Sequence, residues 1–165
     1  MRRIFLDTNV LVDLVCHRDP FFQEAKKLFA LAYTNKICIG ISALSYINTV
    51  YIAKKYGFCT NEVIEILKKI SSFTSITHLE EATIKDAMNC EWNDFEDAVQ
   101  YHSSLPFSAD YIITRNPKDF SKSNIPVYTP TDFLQIPYWI DEPDSTILNE
   151  PEIPYKRLQK NQTNN

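Results

Sequence analysis

This chain predicts an α/β layered fold with a mostly parallel sheet. Short apolar runs such as Ile4-Phe5-Leu6 and Ile37-Cys38-Ile39-Gly40-Ile41 alternate with stretches whose apolar residues recur every three to four positions. Strands separated by helix-length segments do not close as hairpins, and parallel neighbours need crossover helices. With 165 residues, 44% of them hydrophobic and 23% charged, the chain has the size and balance of one globular domain with a real core.

The elements follow in order. Ile4 to Leu6 reads as a strand, and Val10, Leu11, Leu14 and Val15 give helical spacing as far as Cys16. Pro20 is expected to open the next helix, because proline suits the first helical turn, with Ala25, Leu28, Phe29 and Ala32 as its apolar stripe to about Tyr33. After the strand from Ile37 to Ile41, Ser42 caps a helix whose apolar positions Ile47, Tyr51 and Ile52 run to Lys55, and Gly57 stops it. Thr60 is expected to cap a further helix through Ile64, Leu67, Lys68 and Ile70. A weak strand near Ser75 to Leu79 leads to a helix from about Glu80 to Met88. Asn93 to Ser103 forms a helix with an acidic first turn and Phe95, Ala98, Val99 and His102 on one face. Ala109 to Thr114 is a strand, Pro126 to Tyr128 a short one, and Thr131 to Gln135 the last helix.

Residues 1–136 therefore read as the folded body. From Pro137 to Asn165 the chain turns proline-rich and acidic, with Tyr138, Trp139 and Tyr155 as aromatic anchors and a final polar run expected to be disordered.

Composition narrows the chemistry. Lys and Arg total 17 against 21 Asp and Glu, a net charge of −4, so no sequence-wide basic excess advertises nucleic acid. A nuclease that meets phosphate through metal ions nonetheless needs an acidic site. Two glycines in the whole chain leave no glycine-rich loop to cradle phosphate, which excludes dinucleotide and Walker-type sites. Cys16, Cys38, Cys59 and Cys90 include no C-x-x-C pair, and they read as free, mostly buried thiols of a reducing compartment. Neither a signal peptide nor a membrane-spanning stretch is legible, so the expected location is cytoplasmic, without a membrane partner. His17, His78 and His102 are scattered without ligand spacing.

Three polar clusters sit where strands end or helices begin, which is where open parallel sheets gather their chemistry. Asp7-Thr8-Asn9 follows the first strand, and its Asp serves equally as a helix N-cap. Asp94, Glu96 and Asp97 fall within one helical turn, with Asp94 and Asp97 three residues apart on one face, an arrangement that a capping box also explains. Thr114-Arg115-Asn116-Pro117-Lys118-Asp119-Phe120 ends the strand from Tyr111 to Thr114 with oxygen-rich side chains.

Together, Asp7-Thr8-Asn9-Val10-Leu11-Val12-Asp13, Asp94-Phe95-Glu96-Asp97-Ala98-Val99-Gln100 and Ile113 to Phe120 resemble the PIN-domain family of metal-dependent ribonucleases, over roughly Arg3 to Leu134. The resemblance implies an α/β/α arrangement around a parallel sheet of about five strands, with an acidic pocket at their carboxyl ends. It implies Asp7 and Asp97 as ligands of Mg²⁺ or Mn²⁺ and a catalytic role for Asn116. Thr8, Asn9 and Thr114 would orient ligands and water, with Glu96 as a further supporting residue. It also implies RNA as substrate and, as in many bacterial members of this size, a toxin with a cognate antitoxin, often paired into a homodimer.

Two positions depart from the family pattern. The acid expected in the helix after the second strand is best matched by Asn48, and the acid after the Thr-Arg pair by Asn116. The pocket would then hold about two fewer negative charges and bind its cation more weakly, with Asp94 or Asp119 as partial compensation. Arg115, Lys118 and Lys122 are the expected contacts to RNA phosphates. The leading expectation is thus a Mg²⁺- or Mn²⁺-dependent endoribonuclease. The alternatives are a catalytically impaired RNA- or partner-binding module, on account of Asn48 and Asn116, and a plain α/β domain whose carboxylates only cap helices.

Overall fold

The computed structural model describes residues 1–136, so the expected acidic tail, 137–165, lies outside the described residues. Five strands, β1 (Arg2–Leu6), β2 (Ile37–Ser42), β3 (Ser75–Thr77), β4 (Tyr111–Ile113) and β5 (Val127–Tyr128), form one sheet in the order β3-β2-β1-β4-β5, with every neighbour parallel. The helices are α1 (Thr8–Val15), α2 (Phe22–Tyr33), α3 (Ala43–Lys55), α4 (Thr60–Ser71), α5 (Glu81–Asn89), α6 (Phe95–Ser104) and α7 (Pro130–Leu134), with a 3₁₀ turn at Pro117–Phe120.

Strand alternation divides the core between the two faces of the sheet. Ile4, Leu6, Ile37, Ile39, Ile41 and Ile113 pack on one side with α1, α2, α4 and Phe133, while Phe5 and Ile112 join Tyr101, Phe107 and Phe120 on the other. The strands are apolar on both faces because helices cover both. Gly40 meets Phe5 and lies under Phe107, where an added Cβ would fall 2.7 Å from the ring carbons. Arg3 holds that residue as well, its guanidinium 4.3 Å from the ring centre and its Nε donating to the Phe107 carbonyl at 2.7 Å.

Local signals fixed several boundaries. Ser42 accepts the Ser45 N–H at 3.0 Å as the cap of α3, Gly57 takes the left-handed conformation (φ 85°) just beyond it, and Thr129 accepts the Asp132 N–H at the start of α7.

Four expectations are corrected. Pro20 lies in the turn before α2, which begins at Phe22, and the cap position of α4 is Cys59, with Thr60 its first helical residue. The buried residues of α3 are Ser45, Thr49 and Ala53, whereas Ile47 and Tyr51 are exposed. All four cysteines are free, but only Cys16 is buried, and burial pushes its thiol up to about 11. Among the described residues no helix is long and apolar enough to cross a membrane.

Candidate functional site

The chain leaves β1 on one side of the sheet centre for β2 and β3, and returns on the other as β4 and β5. The carboxyl ends of β1 and β4 therefore flank a topological switch point, where two loops diverge and leave a crevice. Asp7 stands there, its backbone N–H bound to the Ile113 carbonyl of β4 at 3.0 Å.

Asp7 occupies the N-cap position of α1 but makes no side-chain capping bond. Its carboxylate looks across the crevice, with Oδ2 accepting from the Thr114 hydroxyl at 2.7 Å and from the Asn9 amide. The Asn9 amide also donates to Thr114 Oγ1 at 3.0 Å, while its carbonyl oxygen accepts the Arg115 N–H at 3.2 Å. Thr114 Oγ1 takes in turn the Asn116 N–H at 3.1 Å. One amide thus ties the end of β1 to the end of β4 and fixes which way Asp7 points. Burial drives the Asp7 carboxyl up from 3.8 to about 6, against the opposing hydrogen bonds from Thr114 and the Thr8 backbone and with a smaller push from Glu96.

Helix α6 supplies the facing wall. Asp94 is a true cap, accepting the Glu96 N–H at 2.7 Å and the Asp97 N–H at 3.3 Å. That leaves Asp97 free of capping duty. Its carboxyl is raised to about 7, first by burial and then by the charges of Asp7, Asp94, Asp119 and Glu96. Only carboxylates act on Asp97, and no cation pairs with it among the described residues.

Behind these acids lies a polar network in the protein interior. Gln100 of α6, fully buried, donates from Nε2 to Thr8 Oγ1 at 2.7 Å and to Ser45 Oγ at 2.9 Å, and accepts the Ser42 hydroxyl at 2.8 Å. Thr8 passes its own proton to Glu96 Oε1 at 3.2 Å, and Asn48 of α3 donates to the same oxygen at 2.8 Å. Sequence reasoning missed Gln100, Ser42 and Ser45 as part of this assembly. A Gln one turn beyond Asp97 on a helix otherwise facing the core was the available signal.

Asn116 and Asp119 flank the crevice at the 3₁₀ turn. Asn116 is tied through its backbone rather than its side chain, and Asp119 adds its charge to the field at Asp97. Arg115 turns inward to Asp13, with its Nε 3.2 Å from a carboxylate that is almost wholly buried. Lys118 and Lys122 are exposed on the turn and the loop after it.

The donor set suits a hard divalent cation. The Asp7 charge acts on Asp97, Arg115 only partly offsets the burial of Asp7, and hydroxyl and amide groups lie beside Asp7, so a counter-ion between the acids would be favourable. Among the described residues no three His, Cys, Asp or Glu side chains gather tightly enough to hold a metal ion by themselves. An ion held here would keep several waters, as Mg²⁺ does.

A parallel α/β/α domain with an acidic crevice at the carboxyl ends of its central strands defines the class. The PIN domain family model matches residues 3–118, and the chain belongs to that family. No curated protein matches it. Solved structures do. A toxin–antitoxin complex from Klebsiella pneumoniae is 25% identical with a TM-score of 0.55, over 77% of this chain and 97% of that one. VapBC2 from Rickettsia felis, bound to a DNA fragment from its promoter, is 17% identical with a TM-score of 0.56, over 77% and 98%. VapC20 of Mycobacterium tuberculosis, described as a toxin that cleaves the sarcin-ricin loop, is 16% identical with a TM-score of 0.53, over 66% and 86%.

Proposed function

We propose that this chain is a divalent-cation-dependent endoribonuclease of the toxin type, restrained by a cognate antitoxin. The observation that carries this reading is the pairing of Asp7 and Asp97 across the crevice, each with its carboxyl raised: burial of Asp7 outweighs the charge of Arg115, and the charges that act on Asp97 are all carboxylates. Asp7 and Asp97 would hold Mg²⁺ or Mn²⁺. When bound, the cation would lower the pKa of a water and offset charge on the phosphodiester in the transition state.

The chain's own groups do the rest. Thr114 and Asn9 hold the Asp7 carboxylate in one orientation, and Asp97 rises from the facing helix, so the two acids approach a substrate phosphate from opposite sides. Lys118 and Lys122, outside the acidic floor, meet neighbouring phosphates of the RNA strand. Similarity to the Klebsiella and Rickettsia complexes supports an antitoxin partner, and similarity to VapC20 supports RNA as the substrate.

The deciding experiment is cleavage of structured RNA in millimolar Mn²⁺ or Mg²⁺. Cleavage is expected, lost in EDTA and lost in Asp7→Asn and Asp97→Asn. Survival of cleavage in Asp7→Asn overturns the assignment. The second reading, an RNA- or partner-binding module without turnover, rests on Asn48 and Asn116 standing where acids are expected. Binding of RNA without cleavage in Mn²⁺ would favour it.

A further inference from the structure

Building on the nuclease reading, we propose that Glu96 supplies the charge that α3 lacks at Asn48, and that Asn48 is a positioning residue which delivers the Glu96 carboxylate to the crevice. Asn48 Nδ2 donates to Glu96 Oε1 at 2.8 Å, and Thr8 Oγ1 donates to the same oxygen at 3.2 Å. Two donors from two different helices, 48 and 88 residues away in sequence, converge on one oxygen. Oε2 has no partner among the described residues.

The Thr8 bond is backed by buried polar partners, Gln100 and the Ser45 hydroxyl, whose Oγ lies 3.0 Å from Thr8 Oγ1. A hydroxyl has a single proton, and Gln100 Nε2 already donates into Thr8 Oγ1 at 2.7 Å. A carboxylate only accepts, so the Thr8 proton points at Glu96 Oε1, which leaves Thr8 Oγ1 to accept from Gln100 Nε2 and the Gln100 carbonyl oxygen to accept the Ser42 hydroxyl at 2.8 Å. The buried chain Ser42, Gln100, Thr8 is therefore polarised toward Glu96, and a hydrogen bond that ends on a carboxylate is the stronger kind.

The placement is functional in its consequences. Glu96 precedes Asp97 in the first turn of α6 and is bonded to Thr8, the neighbour of Asp7, so its carboxylate stands beside both acids. Among the described residues no three acids close tightly enough to hold a metal ion by themselves, so Glu96 would act on a bound divalent cation through water rather than as a direct ligand. The acid missing from α3 has in effect been transposed to α6, with the amide left behind as its clamp.

The test is Mn²⁺ binding by the full chain, followed by the electron paramagnetic resonance signal of free Mn²⁺ and with no substrate present. Glu96→Gln is expected to weaken binding about 10- to 100-fold. The exchanged double variant Asn48→Glu/Glu96→Gln, which returns the carboxylate to α3 and puts the donor amide on α6, is expected to recover binding to within a few-fold of wild type. Circular dichroism of each variant confirms folding. Glu96→Gln that binds Mn²⁺ within twofold of wild type overturns the inference, as does an exchanged variant that folds but binds no better than Glu96→Gln. In both cases the nuclease reading stands if Asp7→Asn still abolishes binding. A wild-type chain that binds no Mn²⁺ overturns the two together.

Discussion

Asp13 and Arg115 form an ion pair across the root of the crevice, 3.2 Å from carboxylate to Nε, with Asp13 only 1% exposed. Arg18 reaches the other carboxylate oxygen at 3.6 Å, and Arg115 also lies over the Phe21 ring, 4.5 Å from its centre. The geometry is one of charge pairing rather than aligned hydrogen bonds, since neither Asp13 oxygen has a hydrogen-bond partner. The Arg115 side chain, an expected RNA contact, lies against α1, while its backbone N–H braces Asn9. Removing one partner of a buried pair costs roughly 3–5 kcal/mol, and here the arginines keep some access to water. Burial outweighs both arginines and raises the Asp13 carboxyl to about 6, so the charged pair is itself costly above that pH; Asp13→Ala is expected to lose well under that range, about 1 kcal/mol or less, in urea unfolding at pH 8, and a loss of about 3 kcal/mol or more would contradict this account.

Asp7 makes the domain less stable than its packing allows. Between about pH 4 and 6 the native state keeps a proton that the unfolded chain has released, so stability from this residue falls as pH rises through that window. Above pH 7 the full cost is present, about 3 kcal/mol for a carboxyl raised from 3.8 to about 6. Asp7→Asn keeps an acceptor for Thr114 and removes the charge. In EDTA it is expected to be about 2–3 kcal/mol more stable than wild type at pH 8 and no more stable near pH 4, by urea unfolding at both. Equal stability at pH 8 would show that burial does not burden this carboxylate.

Gln100 holds three buried hydroxyls in place at once. Gln100→Leu has a similar volume but strands these groups, each left unpaired costing about 1–3 kcal/mol. The expected loss is at least about 2 kcal/mol in thermal or urea unfolding, against a much smaller loss for Asn48→Ala at the exposed end of the same network.

Gly40 is required by contact rather than by backbone conformation. Gly40→Ala would press a methyl group into the Phe107 ring at 2.7 Å and is expected to cost about 1–3 kcal/mol. Adding Phe107→Leu should return part of that loss, as a double-mutant cycle of unfolding energies would read out. Strict additivity would mean that the clash is relieved elsewhere.

The sheet and the acids were legible because their signals are local. Apolar runs alternating with helical stripes gave the parallel order, and Asp7 was marked as the residue closing a strand. Two capping patterns looked alike in sequence and resolved differently: Asp94 caps α6, whereas Asp7 leaves its cap position to face Thr114. The remainder is set by tertiary partners. On α3, Ile47 and Tyr51 were read as the buried stripe, but Ser45 turns inward because Gln100 and Thr8 need its hydroxyl there. Glu96 was marked only as a supporting residue beside Asp97, and its partners Thr8 and Asn48 were not legible because both donors arrive from other helices.

The tie between Asn9 and Thr114 spans 105 residues of chain. Everything that orients Asp7 from the β4 side is synthesised last among the described strands but one, and β4 must slot between β1 and β5 before the crevice has two walls. A nascent or truncated chain ending before Thr114 carries Asp7, Glu96 and Asp97 yet lacks the partner that aims the first of them. The crevice is thus completed late along the chain, once the segment through Thr114 has joined the sheet.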